Sequence, residues 1–271
     1  MSRRSGSQRG FDSLLEYLET ELSFESDFYN DAYMDRRITA RMRRTDTENY
    51  RTYLRLLEGD ADEQEALLDS LSINVTGFFR NPDAWEGLRP ILRRLTAQNR
   101  EVNAWSAPCA DGREPYSLAM LARDDPEIRD ERLDILATDI NPDILKKARA
   151  GVYEASQTSD IEAELEPLAN SDRYIDREGD TFTVRDSIGE MVTFEQHDLI
   201  GGDPKSGFDL LLCRNFLIYI DAAYKEPIFE TIRGSLRSGG YLMIGMTETI
   251  PAGARSAFEA SDKQYRIYER V

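Results

Sequence analysis

The chain has 271 residues, 40% of them hydrophobic, and a formal net charge of −17 from 51 acidic and 34 basic residues. That length holds one large domain, or a small one plus a medium one, with enough apolar content for a core. The negative field repels phosphate backbones and argues against a nucleic-acid substrate, while no apolar run approaches the ~20 residues of a membrane span.

Met1-Ser-Arg-Arg4 carries charge with no apolar segment behind it, so no signal peptide is expected and the cytoplasm is the expected compartment. Two cysteines, Cys109 and Cys213, make neither a disulfide framework nor a metal-ligand spacing, and read as small buried residues. Lysine occurs only at Lys146, Lys147, Lys205, Lys225 and Lys263, so nearly all the basic residues are arginine. Such an acidic surface fits a salt-rich cytoplasm, where counter-ions screen self-repulsion.

Residues 11 to about 70 read as helical. Phe11, Leu14, Leu15, Tyr17 and Leu18 recur near a 3.6-residue period. In the next helix, Tyr33 to Arg44, Ile38 and Met42 lie one turn apart and face a core, and Arg36, Arg37, Arg41, Arg43 and Arg44 cover the rest. A charge run of this kind is most often a solvated face balancing nearby acids; the functional alternative is a docking surface for an acidic partner helix. Two more helices are expected, near Tyr50–Leu57 and Asp62–Leu71. The linker Ile73-Asn-Val-Thr-Gly-Phe-Phe-Arg80 follows, in which buried Phe78 and Phe79 would hold Arg80 in a defined place.

After a helix at Trp85–Leu95, strands and helices alternate. Strands are expected near Val102–Ser106, Leu133–Thr138, Phe208–Cys213 and Tyr241–Ile244, with helices starting near Pro115, Asn141 and Ala222, the pattern of a mostly parallel sheet covered on both faces. Asp209-Leu-Leu-Leu-Cys213 suits a central strand, and Gln264–Tyr268 alternates like a terminal antiparallel one. Turn signals at Gly179 and Gly189, each followed by a strand-like piece (Thr181–Val184 and Glu190–Phe194), predict a small antiparallel insertion at about residues 172–195.

Trp105-Ser-Ala-Pro-Cys-Ala-Asp-Gly-Arg-Glu-Pro-Tyr-Ser117 reads as a strand, a tight small-residue turn and a helix start. That arrangement aims backbone N–H groups at a ligand above the sheet edge. Asp139 ends the next strand, where it could accept hydrogen bonds from both hydroxyls of a ribose or simply cap the following helix. Asp198 and the run Arg214–Tyr219 also fall at strand carboxyl ends, which line the ligand crevice in open α/β sheets. His197 is the only histidine, which makes Ser-His hydrolysis or a His-rich metal site improbable.

Four stretches in series, Asn74–Arg80, Trp105–Ser117, Ala137–Asp139 and Phe208–Tyr219, together resemble the CheR family of chemoreceptor glutamate methyltransferases. The resemblance implies a Rossmann-like α/β sheet that uses S-adenosylmethionine, with the small antiparallel β insertion, preceded by an all-α N-terminal domain. It divides the chain into residues 1–82, helical domain and linker, and 83–271, methyltransferase domain. In family terms Asn74, Thr76, Arg80, Glu114, Asp139, Asp198, Leu199, Arg214 and Asn215 hold the cofactor. Arg80 and Tyr219 lie nearest the transferred methyl, and Arg36, Arg37, Arg41, Arg43 and Arg44 face the acidic methylation region of a chemoreceptor. No metal is implied, and a monomer acting in the cytoplasm without membrane insertion is expected.

The chain departs from the family turn at Pro108, Asp111 and Arg113, and the late motif Gly-His-Ser-Glu appears as Gly245-Met-Thr-Glu248. The short turn at Arg177–Asp180 leaves open whether the insertion tethers a receptor peptide. Two further readings share the sheet: a small-molecule methyltransferase, and a non-catalytic cofactor-binding receptor adaptor. A nicotinamide oxidoreductase would want Gly-x-Gly-x-x-Gly, which Ala107–Gly112 lacks.

Overall fold

The computed structural model describes residues 2–22, 24–71, 76–156 and 159–271, with side chains from residue 8 onward. Its contacts divide the chain into two units, Met1–Ile73 with Tyr219–Tyr224, and Asn74–Ile218 with Lys225–Val271.

The first unit is helical: α1 (Ser2–Thr20), α2 (Asp31–Arg44), α3 (Tyr50–Leu57) and α4 (Ala61–Leu71). Asn30 and Asn49 cap α2 and α3, their side-chain oxygens accepting from the Tyr33 and Thr52 N–H groups and satisfying donors the helix leaves open. Leu14, Leu18, Ile38, Met42, Tyr53 and Leu67 are buried in one core, so the helical spacing of the apolar residues is what packs the unit. Tyr219–Tyr224 completes it. The Tyr219 carbonyl accepts from the Asn30 N–H and Nδ2 at 2.9 and 2.8 Å, and the Phe28 and Tyr224 rings meet edge-on at 4.8 Å.

The second unit opens with α5 (Pro82–Gln98) and continues β1 (Val102–Ser106), α6 (Arg113–Asp124), β2 (Leu133–Asp139), α7 (Pro142–Ala150), β3 (Val152–Glu154), α8 (Ile161–Glu164), β4 (Ile175–Glu178), β5 (Thr181–Val184), α9 (Asp186–Gly189), β6 (Val192–Gln196), β7 (Phe208–Cys213), α10 (Ala222–Ser235, of which the part from Lys225 onward belongs here), β8 (Leu236–Ile244), β9 (Phe258–Asp262) and β10 (Ile267–Arg270). A seven-stranded sheet has the order β6-β2-β1-β7-β8-β10-β9. The first five strands are parallel, and β10 runs antiparallel between β8 and β9. All six residues of β7 are buried, as a central parallel strand covered on both faces requires. The chain order reverses between β1 and β7, which makes the carboxyl ends of these two strands the expected ligand crevice.

One expectation is corrected. Thr181–Val184 does lie in a small antiparallel sheet, ordered β3-β5-β4, but Val192–Phe194 does not join it. β6 pairs in parallel with β2, from Val192 against Ile135 to Gln196 against Asp139, and forms an edge of the main sheet. Gly189 ends the short helix α9 rather than a hairpin turn, and β3, a strand not expected from the sequence, supplies the third strand of the small sheet. A half-buried edge strand and a hairpin strand carry the same alternation, so pattern alone could not separate them.

Candidate functional site

The turn after β1 is built by backbone bonds to its neighbours. The Ala107 N–H donates to the Leu212 carbonyl at 2.9 Å and the Cys109 N–H to the Thr138 carbonyl at 2.8 Å, stitching the turn to β7 and β2. Ala110 and Gly112 take positive φ, +48° and +90°. At Gly112, the N-cap of α6, a Cβ would stand 3.0 Å from the Ala148 Cβ and 3.1 Å from the Phe194 Cζ, so a side chain would crowd α7 and β6 in addition to straining the backbone. Cys109 and Cys213 are both buried free thiols at the ends of adjacent strands.

This turn delivers Glu114 into the protein. Its Oε1 accepts from the Ser106 Oγ at 2.9 Å and its Oε2 faces the Arg214 Nη1 at 3.3 Å. Only 1% of the Arg214 side chain is exposed. Its Nη2 donates to the Arg80 carbonyl at 2.6 Å, and its guanidinium stands 5.3 Å over the Trp85 ring. Burial pushes the Glu114 carboxyl up from its ordinary value, with Arg214 and Ser106 opposing. Burial likewise pushes Arg214 down, with Glu114 opposing and Arg80 reinforcing. The Arg214 Nε is buried with no hydrogen-bond partner among the described residues. A buried cation with an unused donor beside a buried carboxylate suits a zwitterionic ligand group, because removing either charge from water demands compensation.

Asp139 does not cap α7; Asn141 does, accepting from the Asp143 and Ile144 N–H groups. The Asp139 carboxylate instead ties two loops together, Oδ2 accepting from the Ala110 N–H at 2.9 Å and Oδ1 from the Asn141 N–H at 3.0 Å. The Ile140 N–H is a third backbone donor to this carboxylate, so its remaining acceptor capacity for a hydroxyl donor is reduced but not exhausted. Burial raises this carboxyl too, against the pull of the backbone N–H groups. Asp198 turns its own loop, Oδ1 accepting from the Ile200 N–H at 2.8 Å, and Leu199 is buried. The His197 ring packs against Trp105 at 5.5 Å with Nε2 2.8 Å from the Asp203 carbonyl, a structural placement.

Asn215, at φ +59°, donates its N–H to the buried Glu248 at 3.0 Å, and the Gly245 N–H donates to the same oxygen at 2.6 Å. Thr76 and Arg80 are half-buried; the Thr76 carbonyl accepts from Arg113 and the Arg80 carbonyl also accepts from the Trp85 Nε1 at 3.1 Å. Asn74 lies outside the described residues. The structure thus brings Arg80, Glu114 and Arg214 together, ties Asp139 to the turn, and groups Tyr219 with the helical unit, where its ring lies 4.8 Å from Tyr33.

In that helical unit the α2 arginines are not alike. Arg36, Arg43 and Arg44 are exposed, and Arg37 stands 5.4 Å over the Tyr33 ring. Arg41 is bound by Glu63, whose Oε1 also accepts from the Tyr53 hydroxyl at 2.6 Å, so its first role is structural. Sequence reasoning assigns no role to Ser106, Trp85, Glu164 or Glu248; Ser106 and Glu248 stand inside the motifs Trp105–Ser117 and Gly245–Glu248, whereas Trp85 and Glu164 carry no such mark. Among the described residues no group of three His, Cys, Asp or Glu could hold a metal ion, and no helix is long and apolar enough to cross a membrane.

Residues 9–72 match the CheR methyltransferase all-alpha domain and residues 74–267 the CheR methyltransferase SAM-binding domain. A chemotaxis protein methyltransferase of Listeria monocytogenes is 34% identical over 237 residues, 86% of this chain and 87% of that protein. One of Listeria innocua is 33% identical over 235 residues, again 86% and 87%. A probable chemotaxis protein methyltransferase of Rhizobium etli is 32% identical over 231 residues, 82% of this chain and 86% of its own length. With both domains matched across most of its length, and with the doubly wound sheet described above, this chain belongs to the CheR methyltransferase family.

Proposed function

We propose that the protein transfers a methyl group from S-adenosylmethionine to glutamate side chains in the cytoplasmic methylation region of chemoreceptors, giving methyl esters. The observation that carries this reading is the buried Glu114–Arg214 pair at the carboxyl ends of the central strands, with Arg80 joined to it through its carbonyl. These groups fit the cofactor. Arg214, with its unused Nε, and Glu114 complement an amino-acid carboxylate and ammonium, and Asp139 keeps some acceptor capacity for a ribose hydroxyl. Thr76, Asp198, Leu199 and Asn215 are proposed to complete the pocket, with Asn74 before them in the linker.

S-adenosylmethionine, when bound, supplies an electrophilic methyl carbon on a positively charged sulfur. The acceptor glutamate is already ionised at neutral pH, its ordinary pKa being ~4.3, so the chain has no proton to remove and its single histidine can stay structural. What the residues must provide is near-attack geometry and partial exclusion of water. Arg80 is assigned the orienting role, with Tyr219 as the second candidate. A tight charge pair would lower the carboxylate's nucleophilicity, so Arg80 acts by positioning more than by strong pairing. Exposed Arg36, Arg43 and Arg44, with Arg37, are assigned to the acidic receptor.

Incubation with methyl-labelled S-adenosylmethionine and receptor cytoplasmic fragments tests this function. The expected outcome is label on the receptor fragment that is released by mild base, as from an ester. Label that resists base, or none on the fragment while the chain binds the cofactor, would sink the assignment.

A further inference from the structure

Residues 76–81 reach the site without belonging to a helix or strand, so their course is set by whatever grips their backbone. Arg214 and Trp85 hold the Arg80 carbonyl, and three side chains grip the stretch before it. Arg113 Nη1 donates to the Thr76 carbonyl at 3.3 Å, Glu164 Oε2 accepts from the Phe78 N–H at 2.8 Å, and Ser117 Oγ accepts from the Phe79 N–H at 2.9 Å. The Glu164 carboxylate lies so close to the linker that a Cβ at Gly77 would come within 3.2 Å of its carbon and Oε2. From its other side the carboxylate is held by the Ser159 Oγ at 3.2 Å and faces Arg113 Nη1 at 3.6 Å. Arg113 is itself fixed, with Asp111 Oδ2 3.3 Å from its Nε and the Tyr153 ring 5.1 Å beneath it. Phe79 and Asn81, on either side of Arg80, hold φ of +45° and +59°, a conformation L-residues keep only where the surroundings over-determine it.

We infer that Glu164 is a positioning residue for the methyl transfer: by holding the Phe78 N–H it sets the backbone from which Arg80 works, and Arg113 is the counter-charge that keeps Glu164 there. The inference rests on the orienting role assigned to Arg80. α8, which carries Glu164, precedes β4 of the small antiparallel sheet, a region to which the proposed chemistry assigns no other part.

The test is a double-mutant cycle on the full chain with receptor fragments as substrate. Glu164→Ala is expected to lower kcat about 10- to 100-fold with the KM for S-adenosylmethionine nearly unchanged, the scale expected when a reacting group is misplaced by about 1 Å. In an Arg80→Ala background the same change should alter kcat less than about twofold, because the two residues act as one unit. Glu164→Gln, which keeps a carbonyl acceptor for the Phe78 N–H, should recover most of the rate. Amide exchange on the protein without cofactor gives an independent readout: Phe78 should exchange faster in Glu164→Ala while the β7 amides stay protected. Equal losses of kcat in both backgrounds, an unchanged kcat, or unaltered exchange at Phe78 would each overturn the inference. An Arg80→Ala enzyme with normal kcat would overturn the Arg80 role and the inference with it. Exchange tells the two failures apart, since Glu164 would then still protect Phe78.

Discussion

In α2 of the helical unit Arg36, Arg43 and Arg44 stand in solvent, whereas in the α/β unit the Arg214 side chain is 1% exposed and held by Glu114, Asn81 and the Arg80 carbonyl. The exposed set contributes little to stability, because water screens each charge and its side chain must be ordered before it pairs. It therefore remains free to meet another molecule. The buried arginine has the opposite character: its removal strands a largely buried carboxylate without its counter-charge. Among buried acidic groups the difference lies in their partners rather than in exposure. Burial raises Glu114 and Asp139 at the carboxyl ends of the strands. At Asp125, just past the other end of α6, burial also pushes up, but Arg93, the Glu127 N–H and Arg89 together outweigh it and leave the carboxyl below its ordinary range.

The contrast breaks first at Arg214. Arg214→Ala should destabilise the chain by ~3–5 kcal/mol in urea unfolding and abolish the heat of S-adenosylmethionine binding, since Glu114 is left buried and unpaired. Arg233→Ala, which removes an exposed arginine from an exposed Glu230, should cost under ~1 kcal/mol. Equal costs for the two would remove the distinction.

A second test uses the sign of the pH response. Asp125 has a depressed folded-state pKa, so its contribution is present at neutral pH and is lost as pH falls through and below the ordinary carboxylate range near ~4. Asp139 has a raised one, so the folded state takes up its proton more readily and this group's contribution falls as pH rises through that range toward the folded value. On acidification from pH 7 to about 2 the wild-type margin over Asp125→Asn should therefore narrow, most of the loss falling below pH ~4, while the margin over Asp139→Asn should widen. Parallel trends in urea titrations across that interval would show that the two carboxyls share one environment.

The smallest stability effect is expected on α2. Reversing Arg36, Arg43 and Arg44 to Glu should shift unfolding by less than ~1 kcal/mol. It should also raise the KM for a receptor fragment about tenfold or more while cofactor binding holds. Unchanged receptor kinetics would remove these arginines from the receptor-docking role. Arg41 is left out of this set because replacing it would release Glu63, which is buried against Tyr53.

Much of the fold was legible because its signals are local. The alternation in β5, the apolar run of β7, the Pro142 start of α7 and the Ile38–Met42 spacing each reflect neighbours a few residues apart. The site was legible only where a motif marked it. That Asp139 faces a strand tip could be read, but not that its oxygens are taken by Ala110 and Asn141, since the two readings differ by a turn geometry. Arg41 looked like its neighbours because pairing with Glu63 depends on how α2 meets α4. Glu164 was invisible because its partner Phe78 is 86 residues away and the bond is to a backbone N–H, which leaves no trace in residue type.

The place of β10 between β8 and β9 has a consequence for how the molecule is made. A nascent chain that has emerged only as far as Asp262 has β9 without a hydrogen-bonding neighbour and one margin of β8 bare, and both wait for residues 267–270. Assembly of that flank is therefore deferred until the ribosome has delivered the last of these strands, and a message truncated a few codons early would yield a sheet with two raw edges rather than a slightly shorter enzyme.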